Sequence, residues 1–168
     1  MHDTPPTPTG SRTRRDAAGQ IDLLHRIASQ LAERSTSAEV EVDVTNELHA
    51  VFQAPWVALY RSQPDGSFKR SALTGNGANA PPEQVDEDSV KFQSSVGIPV
   101  ALAAAENWFG RQALIAPISH HGEQIGVVVL GSGATAEPFD FHDARFLDLV
   151  VRIVAPHLFY LDAREGDK

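Results

Sequence analysis

The chain has 168 residues, 42% of them hydrophobic and 21% charged, with a formal net charge of −8 and no cysteine. That length suits one domain with a sizeable core, and the composition is that of a globular protein. The acidic balance argues against a phosphate-backbone partner, and the missing cysteines exclude disulfides, thiolate metal sites, a cysteine nucleophile and a thioether-linked chromophore.

Residues 1–15, MHDTPPTPTGSRTRR, hold three prolines and four threonines and almost nothing to bury. They read as a disordered leader, with Arg12, Arg14 and Arg15 solvated. No hydrophobic segment follows those charges, so the leader is not a secretory signal, and no apolar run approaches the ~20 residues that cross a bilayer. The expectation is a cytoplasmic chain without nucleic-acid or membrane partners. One domain is expected over residues 16–163, with a polar tail at 164–168.

From residue 16 a helical stripe appears: Ile21, Leu24, Ile27 and Leu31, with Ala28 beside them, on a helix running to about Arg34. A core-facing helix and a helix that pairs with a second chain both fit this stripe. Thr36 and Glu39 have capping-box spacing and start a second helix to about Phe52, with Val40, Val44 and Leu48 on its inner face. Ala54-Pro55 breaks it. WVALYR (56–61) is then a strand, Pro64-Asp65-Gly66-Ser67 a turn, and residues 68–73 the returning strand. A loop rich in Gly, Asn, Ala and Pro follows over 74–82, and a short helix is possible around 86–93. Pro99 permits an edge strand near 100–103.

The pattern is clearest in ALIAPISHHGEQIGVVVL (113–130), two apolar strands around a polar turn. Gly122 can take a positive φ in that turn. Pro117 needs an edge or a bulge because it has no amide hydrogen, and Gly126 leaves a bare spot that a helix or a neighbouring backbone can approach. The last helix is expected from Phe141 to about Ala163, capped by Asp140 and bent by Pro156. Phe146, Leu149, Val150, Ile153, Val154, His157, Leu158 and Leu161 give it an apolar face wider than one packing surface needs.

In that element order the chain resembles a GAF domain, the small-molecule sensor module of signalling proteins. The resemblance covers about residues 21–161. It is carried by LIAPISHHGEQIGVVVLGS (114–132) and PFDFHDARFLDLVVRIVAPHL (138–158), in which Pro117, Gly122, Ile125, Gly126, Phe139, Asp140, Asp143 and Leu147 match the family's usual pattern. The resemblance implies an α+β fold, GAF-like in the broader profilin-like and PAS-like sense. A six-stranded antiparallel sheet would carry the N- and C-terminal helices on one face and a pocket on the other. The family's Asn-Lys-Phe-containing cyclic-nucleotide signature is absent. A bilin and sulfoxide-reducing chemistry are excluded on the missing cysteine, haem is not expected, and so no cofactor is expected.

For the pocket, the candidates are Tyr60, Arg61, Phe92, Leu102, Trp108, Phe109 and Ala116. For a dimer interface they are Ile21, Leu24, Ile27, Leu31, Val150, Val154, Leu158 and Leu161. His120 and His121 are adjacent at a strand end, where side chains are expected to point apart, so they are read as an exposed polar turn and not as metal ligands. No nucleophile elbow, phosphate loop or buried carboxylate pair is visible, so an enzyme is not expected. The expected function is a regulatory domain that binds a small molecule and signals through its terminal helices as a homodimer to a separate output protein. A ligand-free dimerisation or docking module is the first alternative, and an enzyme with an unrecognised site the second.

Overall fold

The computed structural model describes residues 17–75, 82–85, 100–101, 113–131 and 141–166. Helix α1 (Ala17–Glu33) and helix α2 (Ser37–Phe52) precede strands β1 (Trp56–Ser62) and β2 (Phe68–Gly75). Two short strands follow, β3 (Gln84–Val85) and β4 (Val100–Ala101). Then come β5 (Ala113–His120), β6 (Glu123–Gly131) and helix α3 (Phe141–Gly166). The strands form one six-stranded sheet in the order β3-β2-β1-β6-β5-β4, antiparallel at every pairing. The expected α+β architecture is therefore the observed one.

Local chemistry explains the element boundaries. Thr36 is extended, and its hydroxyl accepts the Glu39 N–H at 3.3 Å, while the Glu39 carboxylate accepts the Ser35 N–H at 3.2 Å. The first bond satisfies a donor that the first turn of α2 would otherwise leave open, and the second ties the chain just ahead of the cap to that turn. Thr36→Ala is expected to cost about 1 kcal/mol of stability, read as a lower urea midpoint at unchanged slope. In the β1–β2 turn, the Asp65 carboxylate accepts from both the backbone and the hydroxyl of Ser67, which holds its pKa below the usual carboxylate range. The β5–β6 turn has two residues, His121 (φ 53°) and Gly122 (φ 79°). Positive φ at both positions is what the turn matching the right-handed strand twist requires.

Helices α2 and α3 pack on one face of the sheet, and α1 packs on those two helices. Leu23, Ile27 and Leu31 of α1, Val40, Val44, Leu48 and Phe52 of α2, and Leu147, Val150, Val154 and Leu158 of α3 form one core with Val57, Leu59, Leu114, Val128 and Leu130. On α1 the inward ridge thus runs 23-27-31 at four-residue spacing. Ile21, expected on that ridge, is 54% exposed, and Leu24 is half-buried. On α3 most of the wide face is covered within the single chain, because the helix packs on both the sheet and α1. Leu149 and His157, expected on it, are exposed, and Ala144, Val151 and Ala155 take the inward positions. Helix α3 continues to Gly166, through the first three residues expected as a polar tail, with Arg164 above the Tyr160 ring at 6.0 Å.

Among the described residues β4 pairs with Leu114 and Ile115, and Pro117 lies two residues further along β5, one residue before a register shift at Ile118/Ser119. The short helix expected around residues 86–93 and the Asp140 cap lie outside the described residues.

Candidate functional site

The strand β1 is buried along almost its whole length, so its two faces serve two different clusters. On the face away from the helices, Tyr60 packs with Trp56, Ala58, Phe68, Ile115 and Val127. Its hydroxyl donates to the Pro82 carbonyl at 2.6 Å, just ahead of β3. Burial pushes the phenol pKa up, and the Arg70 charge works weakly against it. Arg70 lies opposite Tyr60 in the β1–β2 register. Its guanidinium is 3.9 Å from the Glu83 carboxylate, and its N–H donates to the Glu83 carbonyl at 2.7 Å. An apolar wall with one phenol and one guanidinium is the chemistry that recognises a mostly apolar small molecule carrying an anionic group.

The helix-side face carries the other polar cluster. Arg61, next in sequence to Tyr60, donates from Nε to the Ile125 carbonyl at 3.1 Å and from Nη1 to Glu41 Oε2 at 2.5 Å. Its Nη2 donates to Asp162. The Ser37 hydroxyl donates to the other Asp162 oxygen at 2.7 Å, and the Ser37 N–H donates to Glu165 Oε2 at 2.8 Å. Burial pushes the Glu41 carboxyl above its usual range, and the hydrogen bond and charge of Arg61 pull it part of the way back.

The seven expected pocket residues divide accordingly. Tyr60 faces the far side of the sheet. Arg61 and Ala116 face the helices, which corrects their assignment to the pocket. Strand side chains alternate, so Arg61 cannot share a face with Tyr60, and Ala116 falls in step with Leu114 and Ile118 on the helix side. Phe92, Leu102, Trp108 and Phe109 lie outside the described residues. Arg70, Trp56 and Phe68 were missed. Phe68 and Arg70 are two apart on one strand, and that spacing alone would have put the charge on the aromatic face.

The expected interface residues divide too. Ile27, Leu31, Val150, Val154, Leu158 and Leu161 are buried in the chain's own core and are not available to a partner. Helices α1 and α3 lie side by side. At one end Gln20 and Leu149 share an open cleft of about 400 Å³ with His142, Arg145 and Phe146, and beyond the other end of α1 the first residue of α2, Ser37, meets Asp162 and Glu165. The apolar surface left outside comprises Ile21 and Leu24 on α1 and Leu149, Ile153 and Tyr160 on α3.

His120 and His121 do not point apart. Their ring centroids are 4.0 Å from each other, and Phe159 is 4.8 Å from His120, because the positive φ at His121 breaks the strand's alternation. Among the described residues, no group of three His, Cys, Asp or Glu side chains is placed to hold a metal ion.

Comparison with known proteins places this arrangement. The GAF domain family profile matches residues 43–158. The GAF domain of an Acinetobacter phosphoenolpyruvate-protein phosphotransferase is similar in structure, with a TM-score of 0.73 at 15% identity over 88% of this chain and 97% of that one. Free methionine-R-sulfoxide reductase from Neisseria meningitidis, solved with its substrate, gives 0.73 at 17% identity over 98% and 99%. The phycoerythrobilin-bound GAF domain of a cyanobacterial phytochrome gives 0.71 at 15% identity over 89% and 100%. At these identities the shared property is the fold. No curated protein matches the chain. The bilin-bound neighbour corrects the expectation that a cofactor, and a bilin in particular, is excluded: this fold does hold bilins. The absence of cysteine removes only a thioether bond to this chain.

Proposed function

The chain belongs to the GAF domain family, sensor and regulatory modules of signalling proteins, and on that premise we propose that it binds a small molecule on the sheet face away from its helices. The ligand is mostly apolar and carries an anionic group, which meets Arg70 beside the Tyr60 phenol. The observation that supports this reading is the two-faced β1 strand: Tyr60 looks toward the binding face while Arg61 is tied to α2 and α3. A ligand that prefers one arrangement of β1 thereby shifts the helices.

In this reading the module is regulatory and not catalytic. Thiol-based sulfoxide reduction has no thiol to use, since the chain has no cysteine. It works in the cytoplasm; among the described residues, no helix is long and apolar enough to cross a membrane. It pairs with a second copy through the apolar strip of Ile21, Leu24, Leu149, Ile153 and Tyr160, where α1 and α3 lie side by side, and passes its state to a separate output protein.

Native mass spectrometry followed by thermal-shift screening of small carboxylates and phosphates tests the proposal. The expected result is a mass of two chains, and a melting temperature raised by a hit. A ligand at a hundred times its Kd adds about 2.7 kcal/mol, several degrees for a chain of this size. Arg70→Ala should abolish that rise. A bare two-chain mass with no hit in the screen favours the ligand-free docking module, and a single bare chain overturns both readings.

A further inference from the structure

We propose that Arg61 is a latch that holds the last two turns of α3 against the sheet, and that a shift of β1 at the Tyr60 face releases it. The second half of this proposal rests on the small-molecule reading above; the first half stands on the geometry alone.

Four elements meet at one guanidinium. Arg61 leaves β1 and lies across β6 at its register partner Gly126, where a Cβ would stand only 3.3 Å from Arg61 Cδ, so the missing side chain provides the path. The guanidinium fork then binds β6 through the Ile125 carbonyl, α2 through Glu41 and α3 through Asp162. A second tie reinforces the third of these: the N-terminus of α2 donates to Asp162 and Glu165 of α3 through the hydroxyl and N–H of Ser37. Carboxylates at a helix N-terminus are favoured, since they meet open N–H donors and the positive end of the dipole.

The charge balance makes this junction a switch and not a simple fastening. Two carboxylates, Glu41 and Asp162, share one guanidinium, and a third, Glu165, accepts from the nearby Ser37 N–H. Helix α2 therefore presents the Glu41 anion toward Asp162 of α3, and Arg61 between them turns that repulsion into attraction. The repulsion already registers at Glu41, where the Asp162 charge helps to push the carboxyl pKa up. A small displacement of the fork weakens both attractions and leaves the like charges facing each other, which drives the end of α3 outward. Such a displacement starts next door, because Tyr60 and Arg61 are consecutive on one strand and point to its opposite faces.

Hydrogen exchange of the full chain, read by mass spectrometry without added ligand, tests both halves. Asp162→Ala keeps the Arg61–Glu41 pair, so the fold should survive. It should raise exchange about tenfold over residues 159–166 while β5 and β6 keep their protection. Tyr60→Phe removes the bond to Pro82 and should also raise exchange at 159–166, but add nothing further in the Asp162→Ala background, because both act through one contact. Arg61→Lys keeps the charge without the fork and should fall between wild type and Asp162→Ala. Unchanged protection of 159–166 in Asp162→Ala overturns the latch. A Tyr60→Phe effect that is absent or additive overturns the link to the sheet face. Since no arm uses a ligand, a failed ligand screen would sink the proposed function and leave the latch standing.

Discussion

Replacing Arg61 with alanine is expected to cost about 3–5 kcal/mol of stability at neutral pH, among the largest effects of any polar substitution in this chain. The loss comes mainly from Glu41. Its side chain is 8% exposed, against 37% for Asp162, so an unpaired Glu41 charge stays out of water while Asp162 can turn to solvent. The penalty should depend on pH in a definite direction. Burial already places the folded-state pKa of Glu41 above its ordinary value, and removing Arg61 takes away the main influence that pulls it down. A carboxyl whose folded pKa lies above its unfolded one favours the folded state while protonated. Its contribution is therefore greatest below the ordinary carboxylate range and is lost as pH rises through the folded value. Urea titrations of Arg61→Ala should show stability falling as pH rises through that window, more steeply than in wild type. Adding Glu41→Gln should flatten the slope and recover most of the lost stability at pH 7. A cost under about 1 kcal/mol for Arg61→Ala would mean that water already screens the pair.

The same residue shows where sequence reading stops. The β5–β6 hairpin, the Thr36 cap and the Pro64–Ser67 turn were legible because each rests on local chemistry: apolar strands flanking a glycine turn, a hydroxyl three residues before a carboxylate, an aspartate accepting from its own turn. The face of Arg61 was not. WVALYR is buried on both sides over its first five residues, so the apolar pattern carries no alternation, and one step of register decides the side. The bulge opposite Leu59/Tyr60 compounds this, since it sets Ser71 out of step with the β1 partners on either side of it. On α1 either Ile21 and Leu24 or Leu23 could lead the apolar stripe into Ile27 and Leu31; packing on α2 and α3 selected 23-27-31 and left Ile21 outside. On α3, periodicity showed how much surface was apolar but not that a single chain supplies two partners for it. Strand β3 has two residues, too few for any period to register.

Gly126→Ala is the second substitution expected to act strongly, and it probes the same junction by steric means alone. A Cβ at Gly126 would stand 2.5 Å from the Tyr60 carbonyl oxygen and 3.3 Å from Arg61 Cδ. A flexible side chain could move aside; a backbone oxygen at the centre of the sheet moves only if β1 and β6 separate. Alanine in a strand ordinarily gains about 0.5–1 kcal/mol over glycine, so the close approach must outweigh a favourable term. The expected net loss is about 3 kcal/mol, at the upper end for overpacking. Gly122→Ala in the adjoining turn is the matched comparison. Nothing lies within 4 Å of its Cβ, but its φ is +79°, so its cost is backbone strain of about 1–2 kcal/mol. The two should differ in kind as well as in size. Gly126→Ala should raise hydrogen exchange at residues 159–166 along with global destabilisation, because it displaces the strand that bears Arg61. Gly122→Ala should lower stability and leave the end of α3 protected relative to the rest of the chain. If the two variants instead lose equal stability with the same exchange pattern, the crossing of Arg61 over Gly126 does not hold the helix end in place.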